Sequence, residues 1–127
     1  MLNVLLVALG GAVGASLRYV VSVFINRTFA SAVLSGTLTV NLVGSLVIGI
    51  LMGLLSSQAN FSEKTYLLLV VGILGGFTTF SSYSFENLEL LQQGMYRNFA
   101  LYLLISNIGG ILLAFLGYKL ALNSINI

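Results

Sequence analysis

Gly75-Gly76-Phe77-Thr78-Thr79-Phe80-Ser81-Ser82-Tyr83-Ser84-Phe85-Glu86 interrupts an otherwise apolar transmembrane pattern, with Tyr66 to Leu74 before it and Leu88, Leu90 and Leu91 after it. Adjacent glycines and a run of hydroxyls are poor material for a lipid-facing helix, because a polar group in hydrocarbon has no water to bond. They suit a segment buried in protein or lining a wet cavity. Gly75-Gly76 removes side-chain bulk and admits unusual dihedrals, so the helix is expected to break over Gly75-Ser81 and free carbonyls to hold an ion. A small-residue packing face between helices has a similar composition. The interleaving of hydroxyls, aromatic rings and Glu86 within about three turns favours function over packing.

Working outward, composition agrees with a membrane setting. Of 127 residues 58% are hydrophobic and 6% charged, with a mean hydropathy of +1.07. Soluble domains carry about 25% charged residues, so this is an all-α integral membrane protein. The start, Met1-Leu2-Asn3, lacks the basic flank of a secretory signal, so the first segment is expected to be a retained span. There is no cysteine and no histidine. That removes thiolate chemistry, the usual general base and the commonest transition-metal ligand, and no enzyme activity is expected.

Four spans fit the pattern at the roughly 20 residues needed per crossing: Val4 to Ile25, Ala32 to Leu55, Lys64 to Leu91 and Phe99 to Leu122. Short polar connections separate them, at Asn26-Arg27-Thr28, Ser56-Ser57-Gln58-Ala59-Asn60 and Gln92-Gln93-Gly94-Met95-Tyr96-Arg97-Asn98. Residues 1–127 read as a single four-helix transmembrane domain.

Charge gives almost no orientation. Setting aside Arg18 inside the first span, Lys64 and Lys119 fall on one side of the membrane and Arg27 and Arg97 on the other, two against two. A chain without bias can insert both ways, and opposite orientations can pair as an antiparallel dual-topology homodimer. The net charge of +2 comes from scattered residues that form no nucleic-acid patch.

Small residues recur at four-residue spacing, Gly10 with Gly14, Gly11 with Ala15, Ser45 with Gly49, Gly49 with Gly53, Gly72 with Gly76 and Gly110 with Ala114. These faces predict close helix packing and little room for a central pore, so a conduit is expected between subunits. Polar residues inside the spans are the remaining candidates. Arg18 either snorkels to the interface or meets an anion or carbonyl cluster. The two amide protons of Asn41 can serve an anion or an interhelical bond, and Ser106-Asn107, beyond Tyr102, carries the same ambiguity.

The acids are few: Glu63, Glu86 and Glu89. A proton-coupled cation exporter of the small multidrug type needs a membrane-embedded carboxylate, and the first two spans have none. A scaffold without transport activity remains the other alternative. Donors outnumber carboxylates: the Asn41 amide, hydroxyls, Arg18 and the positive ring edges of Phe80 and Tyr83. That chemistry points to an anion.

Gly10-Gly11 with Gly14-Ala15 and Arg18-Tyr19, Gly36-Thr37-Leu38 with Val40-Asn41, and above all Gly75-Gly76-Phe77-Thr78-Thr79-Phe80-Ser81 resemble the Fluc (CrcB) fluoride channels, in order across all four spans. The resemblance implies an antiparallel homodimer in the lipid bilayer of the inner (plasma) membrane, with two pores that pass fluoride out of the cytoplasm and confer fluoride resistance. It implies that Asn41 donates to fluoride and that Phe80 presents its ring edge. Carbonyls of Gly75 and Thr78 from both subunits would hold a structural sodium ion (Na+) on the dimer axis. Ser81, Ser84, Thr37 and Glu86 would belong to a hydroxyl-rich track, Tyr102 and Ser106 match fourth-span pore positions, and Arg18 matches a first-span arginine. One departure concerns the second aromatic position, usually phenylalanine and here Tyr83, whose hydroxyl adds a donor and bulk. Gly110 and Ala114 also supply no hydroxyl where some members carry one.

Overall fold

Among the described residues four helices are long and apolar enough to cross a membrane, Leu2–Thr28, Gly36–Ser56, Glu63–Gln92 and Tyr96–Ser124, the first to fourth spans. The structure is a computed structural model and describes residues 1–29, 31–56 and 62–125. Most of the expected Ser56 to Asn60 connection lies outside the described residues.

Two boundaries differ from the expected ones, each for a local reason. The first span runs through Asn26-Arg27-Thr28 instead of ending before them, because the Thr28 hydroxyl bonds back to the Phe24 carbonyl at 2.7 Å and the Phe29 N–H closes on Ile25. The second span starts at Gly36 instead of Ala32. Ser31 folds the preceding segment by accepting from the Val33 and Leu34 amides, and Ser35 caps the helix by accepting from the Leu38 N–H at 3.1 Å. Asn26 fixes the corner by accepting from the Gly36 amide at 2.7 Å.

The third span ends in a Schellman turn. Gly94 takes φ of +70°, its N–H bonds to Leu91 and the Met95 N–H reaches Leu90. This turn reverses the chain within a few residues, so the fourth span packs back beside the third. Met95 joins Leu38, Tyr83, Leu90 and Tyr102 in the core cluster.

Small residues bring the helices together, as their spacing predicts. A Cβ on Gly14 would lie 2.0 Å from the Ile73 carbonyl, and one on Gly76 would lie 2.6 Å from that of Gly11. The second and fourth spans touch in the same way, with Gly49 against Ala114 and Gly117 against Leu46. Leu, Val, Ile and Phe side chains such as Leu9, Val20, Phe24, Ile111 and Phe115 face outward, as suits a surface that meets hydrocarbon instead of water. The Gly14 contact is backbone against backbone, so no side chain can move aside to relieve it. Gly14→Val is therefore expected to destabilise the protein by about 3 kcal/mol or more and to reduce the yield of monodisperse detergent-solubilised protein. A wild-type thermal midpoint for that variant would refute the contact.

The third span departs furthest from regular α-helix. Glu63–Tyr66 is α-helical, Leu67–Leu74 is π-helical and Gly75–Phe77 adds a last turn, before a new helix starts at Phe80. The break occupies Thr78 and Thr79, which is narrower than the expected Gly75-Ser81. Gly75 has helical dihedrals (φ −61°, ψ −35°), and no glycine other than Gly94 has positive φ among the described residues. Gly75-Gly76 does not unwind the helix through unusual dihedrals. Gly76 instead permits the close approach to the first span, and the two threonines carry the break.

Candidate functional site

Thr78 (φ −82°, ψ 158°) and Thr79 (φ −150°, ψ 120°) are extended, so helical bonds are lost across them and their polar groups need other partners. Asn41, from the second span, supplies those of Thr79. Its Oδ1 accepts from the Thr79 N–H at 2.8 Å, and its Nδ2 donates to the Thr79 carbonyl at 3.0 Å. A carboxamide carries an acceptor and a donor side by side, as a peptide group does, and so replaces the missing backbone partner. The second Nδ2 proton has no partner among the described residues. Asn41 also lines a cavity of about 390 Å³ with Gly75, Thr78, Thr79 and Phe80.

The same exchange frees two carbonyls. In a continuous helix the Thr79 N–H would close on the Gly75 carbonyl and the Ser82 N–H on that of Thr78. Here the first donates to Asn41 and the second to the Thr79 Oγ1 at 3.3 Å. Gly75 and Thr78 therefore both have carbonyl oxygens released from their helical donors beside one cavity. Uncharged oxygen donors of this kind suit a hard monovalent cation, so the residues fit the sodium ion that the resemblance implies.

A second polar cluster forms around Glu86. Thr37 donates to Oε1 at 2.5 Å, while Tyr102 and Ser35 donate to Oε2 at 2.6 and 2.9 Å. Three hydroxyls, two from the start of the second span and one from the fourth span, thus converge on one carboxylate. Thr37 and Tyr102 are buried, which makes the cluster part of the protein interior. A cavity of about 360 Å³ joins Glu86 and Thr37 to Arg18, Thr79 and Ser82. Arg18 makes no hydrogen bond or ion pair among the described residues, so its charge is available to that cavity.

Aromatic rings connect the two regions. Tyr83 packs against Phe80 at 5.7 Å between centroids and against Tyr102 at 5.4 Å, tilted by 46° and 53°. Tilted pairs expose ring edges, which carry the positive end of the quadrupole. Phe80 is 79% exposed on the single chain.

The predicted residues thus fall into groups. Asn41, Phe80, Gly75 and Thr78 share one cavity, and Thr37, Glu86 and Tyr102 share hydrogen bonds next to Arg18. Tyr83 lies between the two. Ser81 lies within 3.3 Å of the Thr79 hydroxyl. Ser84 stands apart, its hydroxyl bonded back to the Phe80 carbonyl at 2.9 Å. The Ser106 hydroxyl is buried without a partner among the described residues, in a π-helical turn, Ile105–Gly109. Sequence analysis missed Ser35, which serves Glu86 and caps the second span. A serine just before Gly36 was the available signal. It also missed that Asn107 donates to the Tyr83 hydroxyl at 2.9 Å, a pairing no local pattern encodes.

A sequence model of the family described as CrcB-like protein, Camphor Resistance (CrcB), matches residues 5–118. A Thermus thermophilus protein named fluoride-specific ion channel FluC is 47% identical over 116 residues, 91% of each chain. Proteins of the same name from Agrobacterium fabrum and Chloroflexus aurantiacus are 43% identical over 123 residues and 41% identical over 118 residues. These alignments cover 97% and 93% of this chain and 98% and 94% of the relatives.

Proposed function

Because the chain belongs to the CrcB family, we propose that it is a fluoride-selective ion channel, a multi-pass protein of the plasma membrane that lets fluoride leave the cytoplasm passively and so confers fluoride resistance. The observation that carries this reading is the helix break held by Asn41 beside Phe80, because it assembles neutral donors where a continuous helix would have none. Fluoride is small and strongly hydrated, and it enters a pore only if fixed donors replace its water. An amide proton, hydroxyls and ring edges do this without the full charge that would trap the ion.

The path we infer runs from the Arg18 side, past Thr79 and Asn41, to Phe80 and Tyr83, with Thr37, Glu86, Tyr102 and Ser106 along its polar wall. Ser81 and Ser84 belong to the third-span part of that wall. An antiparallel homodimer with two pores fits the even division of basic residues and the exposure of Phe80 and Gly75 on one chain. In such a dimer the carbonyls of Gly75 and Thr78 would hold a sodium ion. When bound, that cation raises the local potential in favour of anions.

The test is direct. Purified protein in liposomes loaded with potassium fluoride or potassium chloride is treated with valinomycin, and anion efflux is followed with an ion-selective electrode. Rapid fluoride release with little chloride release is expected. Assembled protein that releases neither ion would instead support a packing-only role for the third-span motif.

A further inference from the structure

Tyr83 places a phenol where the resemblance leads one to expect a phenylalanine, and the structure shows how the extra oxygen is accommodated. Asn107 Nδ2 donates to the Tyr83 hydroxyl at 2.9 Å and to the Leu103 carbonyl of its own helix at 2.8 Å. Both amide protons are therefore spent. Asn107 is exposed among apolar neighbours, Leu104, Ile108 and Ile111, on a membrane-crossing helix. A carboxamide is costly there unless its polar atoms have a use. It also sits in the π-helical turn Ile105–Gly109, a local departure that recurs at functional sites.

From these contacts we propose that Asn107 is a positioning residue for the ion path: it occupies a lone pair of the Tyr83 oxygen and thereby aims the phenol proton at the passing anion. Among the described residues no other group accepts that proton. The ring itself is fixed by Phe80 on one side and Tyr102 on the other, so the hydroxyl's orientation is the remaining freedom. Without Asn107 the unpartnered lone pair can turn toward the path, where it repels an anion. With phenylalanine at 83 there is no oxygen to orient, and Asn107 loses its purpose. The pair therefore acts as a unit, and the inference rests on the fluoride-channel reading above.

The test compares wild type, Tyr83→Phe, Asn107→Leu and the double variant in the valinomycin-driven fluoride efflux assay, with assembly checked by size exclusion. Asn107→Leu is expected to lower fluoride efflux about tenfold, the rate equivalent of one ordinary hydrogen bond, and Tyr83→Phe about threefold. The double variant is expected at the Tyr83→Phe level, so that removing the oxygen rescues the loss of its anchor. A purely structural bond gives no such rescue. Should the leucine variant not assemble, Asn107→Thr, too short to reach the phenol, takes its place. The inference is overturned, and the channel reading kept, if wild type conducts fluoride while the Asn107 substitution is harmless or equally damaging in both backgrounds. No fluoride efflux from assembled wild type overturns both.

Discussion

Asn41→Asp is expected to reduce fluoride efflux by more than about 100-fold while leaving the assembled protein intact. Aspartate is nearly isosteric with asparagine, and one carboxylate oxygen can still accept from the Thr79 N–H, the bond now made at 2.8 Å. Two things change. The donor to the Thr79 carbonyl and the spare amide proton both disappear, and a fixed negative charge appears on the cavity wall. Two like unit charges about 5 Å apart repel by about 3 kcal/mol at an effective dielectric of about 20, which alone accounts for a 100-fold effect. The lost donor adds to it, since one face of the dehydrated ion goes unbonded. Efflux from liposomes, paired with size exclusion of the same sample, checks the prediction. Wild-type release from assembled Asn41→Asp protein would remove Asn41 from the path.

Asn41 shows how far the sequence could be read. Its depth in an apolar span marked it as a residue with a purpose, and the alternatives were an anion or an interhelical bond. The structure gives its carbonyl and one proton to Thr79, an interhelical bond, with no described partner for the second proton. That division depends on where within Gly75-Ser81 the helix breaks, which the pattern Gly75-Gly76 brackets but does not fix. Glycines permit unusual dihedrals but do not require them, and here Gly76 stays helical while lying close against the first span. The break falls on Thr78 and Thr79: the Thr78 N–H keeps its helical bond to the Leu74 carbonyl, the Thr79 N–H turns to Asn41, and the Thr79 hydroxyl takes the Ser82 N–H.

Span number was legible because hydropathy over about 20 residues is a strong signal. The helix ends at Thr28 and Gly36 were not, because they depend on Ser31, Ser35 and Asn26 bonding specific amides. Contacts across spans are harder still. Nothing near Glu86 in sequence announces Ser35, which lies fifty-one positions away, and nothing near Tyr83 announces Asn107. Such pairs are set by helix register, which a π-helical turn alters.

Phe80→Ile is expected to abolish measurable fluoride efflux, for a different reason. The side chain is mostly exposed on the single chain, beside the Asn41 cavity, so its replacement removes little from the core. Isoleucine is of similar hydrophobicity but has no quadrupole, so the positive ring edge is lost. It also lacks the planar face that packs against Tyr83 at 5.7 Å, which leaves the next ring without its neighbour. If Phe80 acted only by filling space, a branched aliphatic side chain would serve nearly as well, and efflux would fall by no more than a few-fold. Phe80→Met and Phe80→Tyr separate the two accounts. Methionine is flexible and apolar without a ring edge and is expected to fail like isoleucine, whereas tyrosine keeps the edge and is expected to retain much of the flux. Equal efflux from the methionine and tyrosine variants, in protein that assembles normally, would show that the ring edge does not hold the ion and that the amide and hydroxyl donors suffice.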